Sequence, residues 1–151
     1  MNTKGRLYIA YGSNLNLEQM KHRCPTAEVV GAAELRNWRL WFRGGTHSAV
    51  ATIERERRFT VPVLVWRIQP EDETALDRYE GFPLLYRKEA LRLTVNGRRV
   101  HAMVYIMNTD RHPYGIPSAG YFNTIREGYV SANFDTGILY DAVTHSKEAA
   151  D

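Results

Sequence analysis

A glutamate followed directly by a glycine, Glu80-Gly81, closes a stretch whose apolar residues recur at helical spacing. Ala75, Leu76 and Tyr79 share one stripe, and Glu80 falls one turn after Leu76, on or beside the buried face. A carboxylate there meets two costs when ionised: desolvation against Tyr79, Phe82 and Tyr86, and the negative end of the helix dipole. Its pKa is expected to rise toward the working pH, the property a general acid/base needs. The same spacing also suits an exposed glutamate at a frayed helix end.

The second chemical candidate is the stretch Leu7 to Leu15, LYIAYGSNL, where an apolar run stops abruptly at Gly12-Ser13-Asn14. Glycine permits backbone angles closed to other residues. Successive amides through Ser13, Asn14 and Leu15, at a strand end and a helix start, can converge on a carboxylate or an oxyanion. A plain turn with an N-cap asparagine reads from the same residues. No Gly-Lys-Ser/Thr follows, so this is not a P-loop, and Ser13 lacks the flanking glycines of a nucleophile elbow.

Other residue types offer less. His22, His47, His101, His112 and His145 show no metal-ligand spacing, and the lone Cys24 has no partner for a disulfide, metal or redox motif, so no metal and no cofactor is expected. Tyr86 and Tyr121 read by themselves as core residues with one satisfied hydrogen bond each.

These residues need a scaffold. Apolar runs predict strands at about 6–11, 29–42, 49–53, 61–68, 85–95 and 100–107. Asn96-Gly97 is the strongest hairpin signal, because both residues accept the positive φ angles of a type I′ turn, so the last two strands should pair directly. Pro62 places its strand at an edge, or else marks that strand's beginning. Helices are expected from the capping residue Asn14 through Met20, from Pro70-Glu71-Asp72-Glu73, and from the N-cap Ser118 through Tyr121, Phe122, Ile125 and Tyr129. The pattern predicts one α+β domain over residues 1–151, with a mixed or antiparallel sheet curved enough to close into a small β-barrel and helices at its periphery.

Composition narrows the function classes. The chain has 151 residues, 44% of them hydrophobic, and a formal net charge of +3. Its densest basic groups, Arg55-Glu56-Arg57-Arg58 and Asn96-Gly97-Arg98-Arg99, read as solvated hairpin tips, so a small anionic ligand is a better expectation than nucleic acid. No run approaches the roughly 20 apolar residues that span a bilayer, and the reading is a soluble cytoplasmic protein without a membrane partner.

Taken together, the segments are more specific than any one of them. YIAYGSNL, Ala49-Val50-Ala51-Thr52-Ile53, Val63-Leu64-Val65-Trp66-Arg67-Ile68, Leu76-Asp77-Arg78-Tyr79-Glu80-Gly81 with Tyr86 following, Val104-Tyr105-Ile106-Met107, and Pro117-Ser118 with Tyr121, Ile125 and Gly128 occur in order along the chain. In these the sequence resembles the γ-glutamylcyclotransferase-like family. The resemblance implies a small mixed β-barrel in which the Tyr11-Gly12-Ser13-Asn14-Leu15 turn grips the glutamyl head of a γ-glutamyl amine or amino acid. It also implies that Glu80 is the general acid/base, that Tyr86 and Tyr121 line the pocket, and that 5-oxoproline is released without metal or nucleotide. His47-Ser48-Ala49 stand where better-known members carry Gly-Gly, and Phe82-Pro83 also differ; both bear on the leaving group, and no oligomeric state is implied. Two other readings remain beside it: a non-catalytic module binding a small carboxylate in the same pocket, and a basic protein that contacts nucleic acid.

Overall fold

The computed structural model describes residues 5–151. Met1 to Lys4, included in the single domain expected over 1–151, lie outside the described residues. The elements follow in order: β1 (Arg6–Ala10), a 3-10 turn (Ser13–Leu15), α1 (Leu17–Arg23), β2 (Glu28–Arg43), β3 (Val50–Ile68), α2 (Pro70–Glu80), β4 (Tyr86–Val95), β5 (Arg98–Met107), a second 3-10 turn (Thr109–Arg111), α3 (Ala119–Ser131) and α4 (Thr136–Ala150).

The five strands form one sheet in the order β2-β3-β1-β5-β4. Neighbours are antiparallel except β1 and β5, which run parallel and meet at Tyr8 and Met103. The sheet is therefore mixed, but it is not a closed barrel, which corrects the expectation from sequence. Its outer strands β2 and β4 do not pair through a backbone ladder. They come together where Asn96 Nδ2 donates to the Val30 carbonyl at 2.9 Å. A strongly coiled sheet of five strands brings its edges together at one place without closing.

Asn96-Gly97 forms the expected tight turn, with φ of 52° and 76°, and β4 and β5 pair directly from Val95–Arg98 outward. Three other readings are corrected. The strands expected at 49–53 and 61–68 are one strand, β3, which pairs with β2 on both sides of an irregularity. There the four residues 56–59 oppose Asn37 alone; Asn37 and Arg58 both take positive φ, and Asn37 Oδ1 accepts the Arg58 amide. Arg55 to Arg58 thus belong to a protrusion within a long ladder, while the tip of that hairpin is the Gly44–Ala49 segment. Pro62 lies inside β3, not at an edge or a start, but β1 pairs only with Leu64 to Ile68, so β3 has no β1 neighbour where the proline lacks a donor. Finally, Asn16, not Asn14, caps α1 by accepting the Gln19 amide.

Buried side chains from all five strands and four helices share one core, with Phe42, Ile53, Leu76, Tyr105, Ile125, Tyr129 and Leu139 among the most enclosed. Helix α4 packs against β2, where the fully buried Ser146 hydroxyl accepts the Phe42 amide at 2.9 Å. Two segments far apart in sequence are laced together beside the site. The Gly44 amide donates to Pro113 O, Gly115 to Phe42 O, Ile116 to Thr46 O and Ala49 to Ile116 O. A side chain at Gly115 would lie 2.0 Å from Gly45 O, so only glycine permits the approach. This lacing delivers the chain to Ser118, whose hydroxyl accepts the Tyr121 amide and starts α3.

Candidate active site

The end of β1, the 3-10 turn, the start of β3, the last residue of α2 and single tyrosines of β4, β5 and α3 line a small cleft. Tyr8, Ile9, Tyr11, Gly12, Ser13, Asn14, Ala51, Glu80, Tyr86, Tyr105 and Tyr121 line it. A larger groove between β2, β4 and the α3–α4 junction shares none of these residues.

Glu80 arrives because α2 is stopped there. Gly81 takes the left-handed conformation at φ 65°, and its amide returns to Arg78 O and Asp77 O. The carboxylate is half-buried, and among the described residues it accepts no hydrogen bond. Desolvation pushes its pKa up to about 7, and the Arg23 guanidinium opposes the rise. Tyrosines from other elements line the same cleft, while Tyr79 and Phe82, expected as part of that wall, are 43% and 36% exposed.

Those tyrosines are held neutral. Burial raises the pKa of Tyr8, Tyr11, Tyr86 and Tyr121 well above the ordinary phenol value, and the Glu80 charge adds to the rise in each. Their hydroxyl protons divide into two kinds. Tyr11 donates to Tyr105 O at 2.7 Å and Tyr86 donates to Ala51 O at 2.5 Å, so both protons are committed. Tyr121 accepts from the Ala51 amide at 3.0 Å and Tyr8 accepts from Asn14 Nδ2 at 2.9 Å, which leaves their own protons to offer a ligand. A single backbone unit, Ala51, therefore orients one acceptor and one donor.

The turn contributes backbone. A Cβ at Gly12 would lie 3.2 Å from the Ala51 Cβ and 3.7 Å from Tyr121 Oη, so the absence of a side chain keeps the cleft floor close to β3 and α3. Leu15 N donates to Gly12 O and Asn16 N to Ser13 O, both at 3.0 Å. The amides of Gly12, Ser13 and Asn14 have no acceptor among the described residues. Beneath them α3 passes so near that a Cβ at Gly128 would lie 2.7 Å from Leu15 and 2.9 Å from Asn16 N, and Asn16 Nδ2 donates to Thr124 O.

Of the residues singled out in the sequence, Glu80, Tyr11, Gly12, Ser13, Asn14, Tyr86 and Tyr121 lie on this cleft. Leu15 does not. Its amide is spent inside the turn and its side chain is fully buried against α3. Tyr8, Tyr105, Ala51 and Arg23 were not singled out. Tyr8 and Tyr105 sit on adjacent strands β1 and β5, in stretches buried without alternation, so no periodicity in the sequence singles them out.

A family model described as gamma-glutamyl cyclotransferase, AIG2-like, matches residues 8–123, a span that includes every residue of the cleft. A gamma-glutamylcyclotransferase of Bos taurus is 35% identical over 82 residues, covering 50% of this chain and 44% of that protein. One of Homo sapiens is 31% identical over 110 residues, covering 67% and 58%. The chain thus spans about half the length of the curated relatives it matches. A solved structure of a gamma-glutamyl cyclotransferase superimposes with a TM-score of 0.79 at 26% identity, over 92% of this chain and 86% of that one.

Proposed function

The chain belongs to the gamma-glutamyl cyclotransferase, AIG2-like family, and from that membership we propose that it releases 5-oxoproline from a γ-glutamyl amine or amino acid, with Glu80 as general acid/base. The observation that carries this reading is a carboxyl group with a pKa of about 7, free of internal hydrogen bonds, in the same cleft as the unsatisfied amides of Gly12, Ser13 and Asn14. Near neutral pH such a group is present in both protonation states, so it can accept a proton and return it.

The substrate's α-carboxylate and γ-carbonyl oxygen take the turn amides and the free protons of Tyr8 and Tyr121. Glu80 removes a proton from the α-ammonium. The freed amine attacks the γ-carbonyl carbon, forming the ring C–N bond, and the tetrahedral centre collapses with cleavage of the bond to the leaving nitrogen. The attacking nitrogen loses two protons between ammonium and lactam, and both leave with the departing amine as Glu80 relays them. The nucleophile belongs to the substrate, so the protein's task is to fold the glutamyl chain into attack geometry and meet the developing oxyanion with fixed donors. Ser13 has no base beside it; its hydroxyl pairs with Tyr79 at 2.9 Å.

The test is a panel of γ-glutamyl amino acids, γ-glutamylamines and glutathione, incubated with purified protein without added metal or nucleotide and assayed for 5-oxoproline. At least one compound is expected to yield product. If none does while a non-reactive glutamyl analogue binds the folded protein, the cleft is a binding module and the enzymatic reading falls.

A further inference from the structure

Arg23, the last residue of α1, uses its guanidinium in three ways at once. Nη1 donates to Asn14 Oδ1, Nη2 donates to Gln19 Oε1 at 3.0 Å, and the group lies over the Tyr79 ring with Cζ 3.4 Å from the centroid. Tyr79 Oη pairs in turn with Ser13 Oγ at 2.9 Å. Arg23, Asn14, Ser13 and Tyr79 therefore form a closed circuit joining α1, the glycine turn and the last turn of α2. Among the described residues, the Tyr79–Ser13 bond is the only hydrogen bond between α2 and that turn.

We propose that Arg23 and Tyr79 are positioning residues for ring closure, a clamp that sets the span between the Glu80 carboxylate and the amides of Ser13 and Asn14. The inference rests on the function proposed above. Tyr79 immediately precedes Glu80, so fixing its ring fixes the carboxylate's approach to the turn. Stability does not account for the arrangement, since a cation stacked on a ring that is 43% exposed adds little to it. Arginine suits the position because a planar fork can bond two acceptors while its face stacks, which a lysine ammonium cannot do.

The clamp also carries charge. Around Glu80 stand Tyr8 from β1, Tyr11 just after it, Tyr86 from β4, Tyr105 from β5 and Tyr121 from α3, with Arg23 as the cation that opposes the effect of burial. Losing Arg23 therefore removes both the geometric tie and the counter-charge. Losing Tyr79 removes only the tie.

The experiment compares Arg23→Gln, Arg23→Lys and Tyr79→Leu with the parent protein in kcat, KM and pH profile, and follows the Glu80 carboxyl carbon by NMR titration without ligand. Arg23→Gln is expected to lower kcat on the order of 10- to 100-fold and to move the Glu80 midpoint and the rising limb of the profile to higher pH. Arg23→Lys should return the midpoint toward 7 but leave kcat low, and Tyr79→Leu should lower kcat with the midpoint little changed. A residue needed only for packing would lower the melting temperature and leave midpoint and profile in place. Parental kcat in Arg23→Lys and Tyr79→Leu, or an unmoved midpoint in Arg23→Gln, overturns the clamp. The midpoint reads Arg23 even in a protein that turns nothing over, whereas absence of turnover in the parent bears on the proposed function alone.

Discussion

At the N-terminal end of α2, Asp72 is 1% exposed, and its Oδ2 accepts from Thr26 Oγ1 at 2.6 Å and from the Gln69 amide at 2.9 Å. At the C-terminal end, Glu80 is half-buried with no donor on its carboxylate among the described residues. The first completes a capping box at the positive end of the helix dipole; the second faces the negative end in a ring of neutral phenols. Burial alone does not make a carboxylate reactive. Two fixed donors and a favourable dipole make Asp72 a structural part, and at the last residue of the same helix Glu80 has neither.

The contrast can be broken by exchanging what the two acids do. Glu80→Gln keeps the shape and removes proton transfer, so the rate of 5-oxoproline formation is expected to fall by at least about 100-fold, while binding of a non-reactive glutamyl analogue, measured by calorimetry, changes little. Near-parental turnover would make Glu80 an ordinary helix end.

Asp72→Ala should do the reverse. Losing the cap and leaving the Thr26 hydroxyl and Gln69 amide unpaired is expected to cost about 2–3 kcal/mol in urea unfolding, with turnover retained at temperatures where the protein is folded. Loss of activity with unchanged stability would place Asp72 in the chemistry and erase the distinction.

The pH dependence sharpens it further. The Glu80 pKa is raised from 4.5 to about 7 on folding, so the folded state holds its proton more tightly than the unfolded chain. The associated stability is complete below about pH 4.5 and is lost as pH rises through 7. Glu80→Gln has no such loss. Unfolding free energies of the two proteins should run together near pH 4 and diverge with rising pH, the variant becoming more stable by on the order of 2 kcal/mol at pH 8. Parallel curves would mean that Glu80 is not desolvated.

Local chemistry was legible wherever one residue type decides one conformation. Asn96-Gly97 dictated its turn, Ser118 its cap, and Pro70 with the acids after it the start of α2. Misreadings came where distant pairing decides. Arg55 to Arg58 resemble a turn from sequence, yet β2 runs on beside them, so the chain bulges and resumes the same ladder. Pro62 reads as an edge because nothing in the sequence says that β1 stops two residues short of it. The 132–151 segment drew no prediction, though Asp135 caps it by accepting the Gly137 amide and Leu139, Ala142 and Ser146 form its buried stripe. In the cleft, the turn and Glu80 were visible as motifs. Arg23 was not, because its meaning lies in a ring supplied by another helix.

The contact between Gly128 and the glycine turn also has a consequence for timing. Once residue 107 has been synthesised, a growing chain holds all five strands, the whole Tyr11 to Leu15 turn and Glu80, but none of α3. The backbone that presses against Leu15 and Asn16, and the Tyr121 hydroxyl that meets Ala51, come later. Synthesis runs from the N-terminus, so the earliest-made part of the cleft is completed by contacts from an element made after every strand.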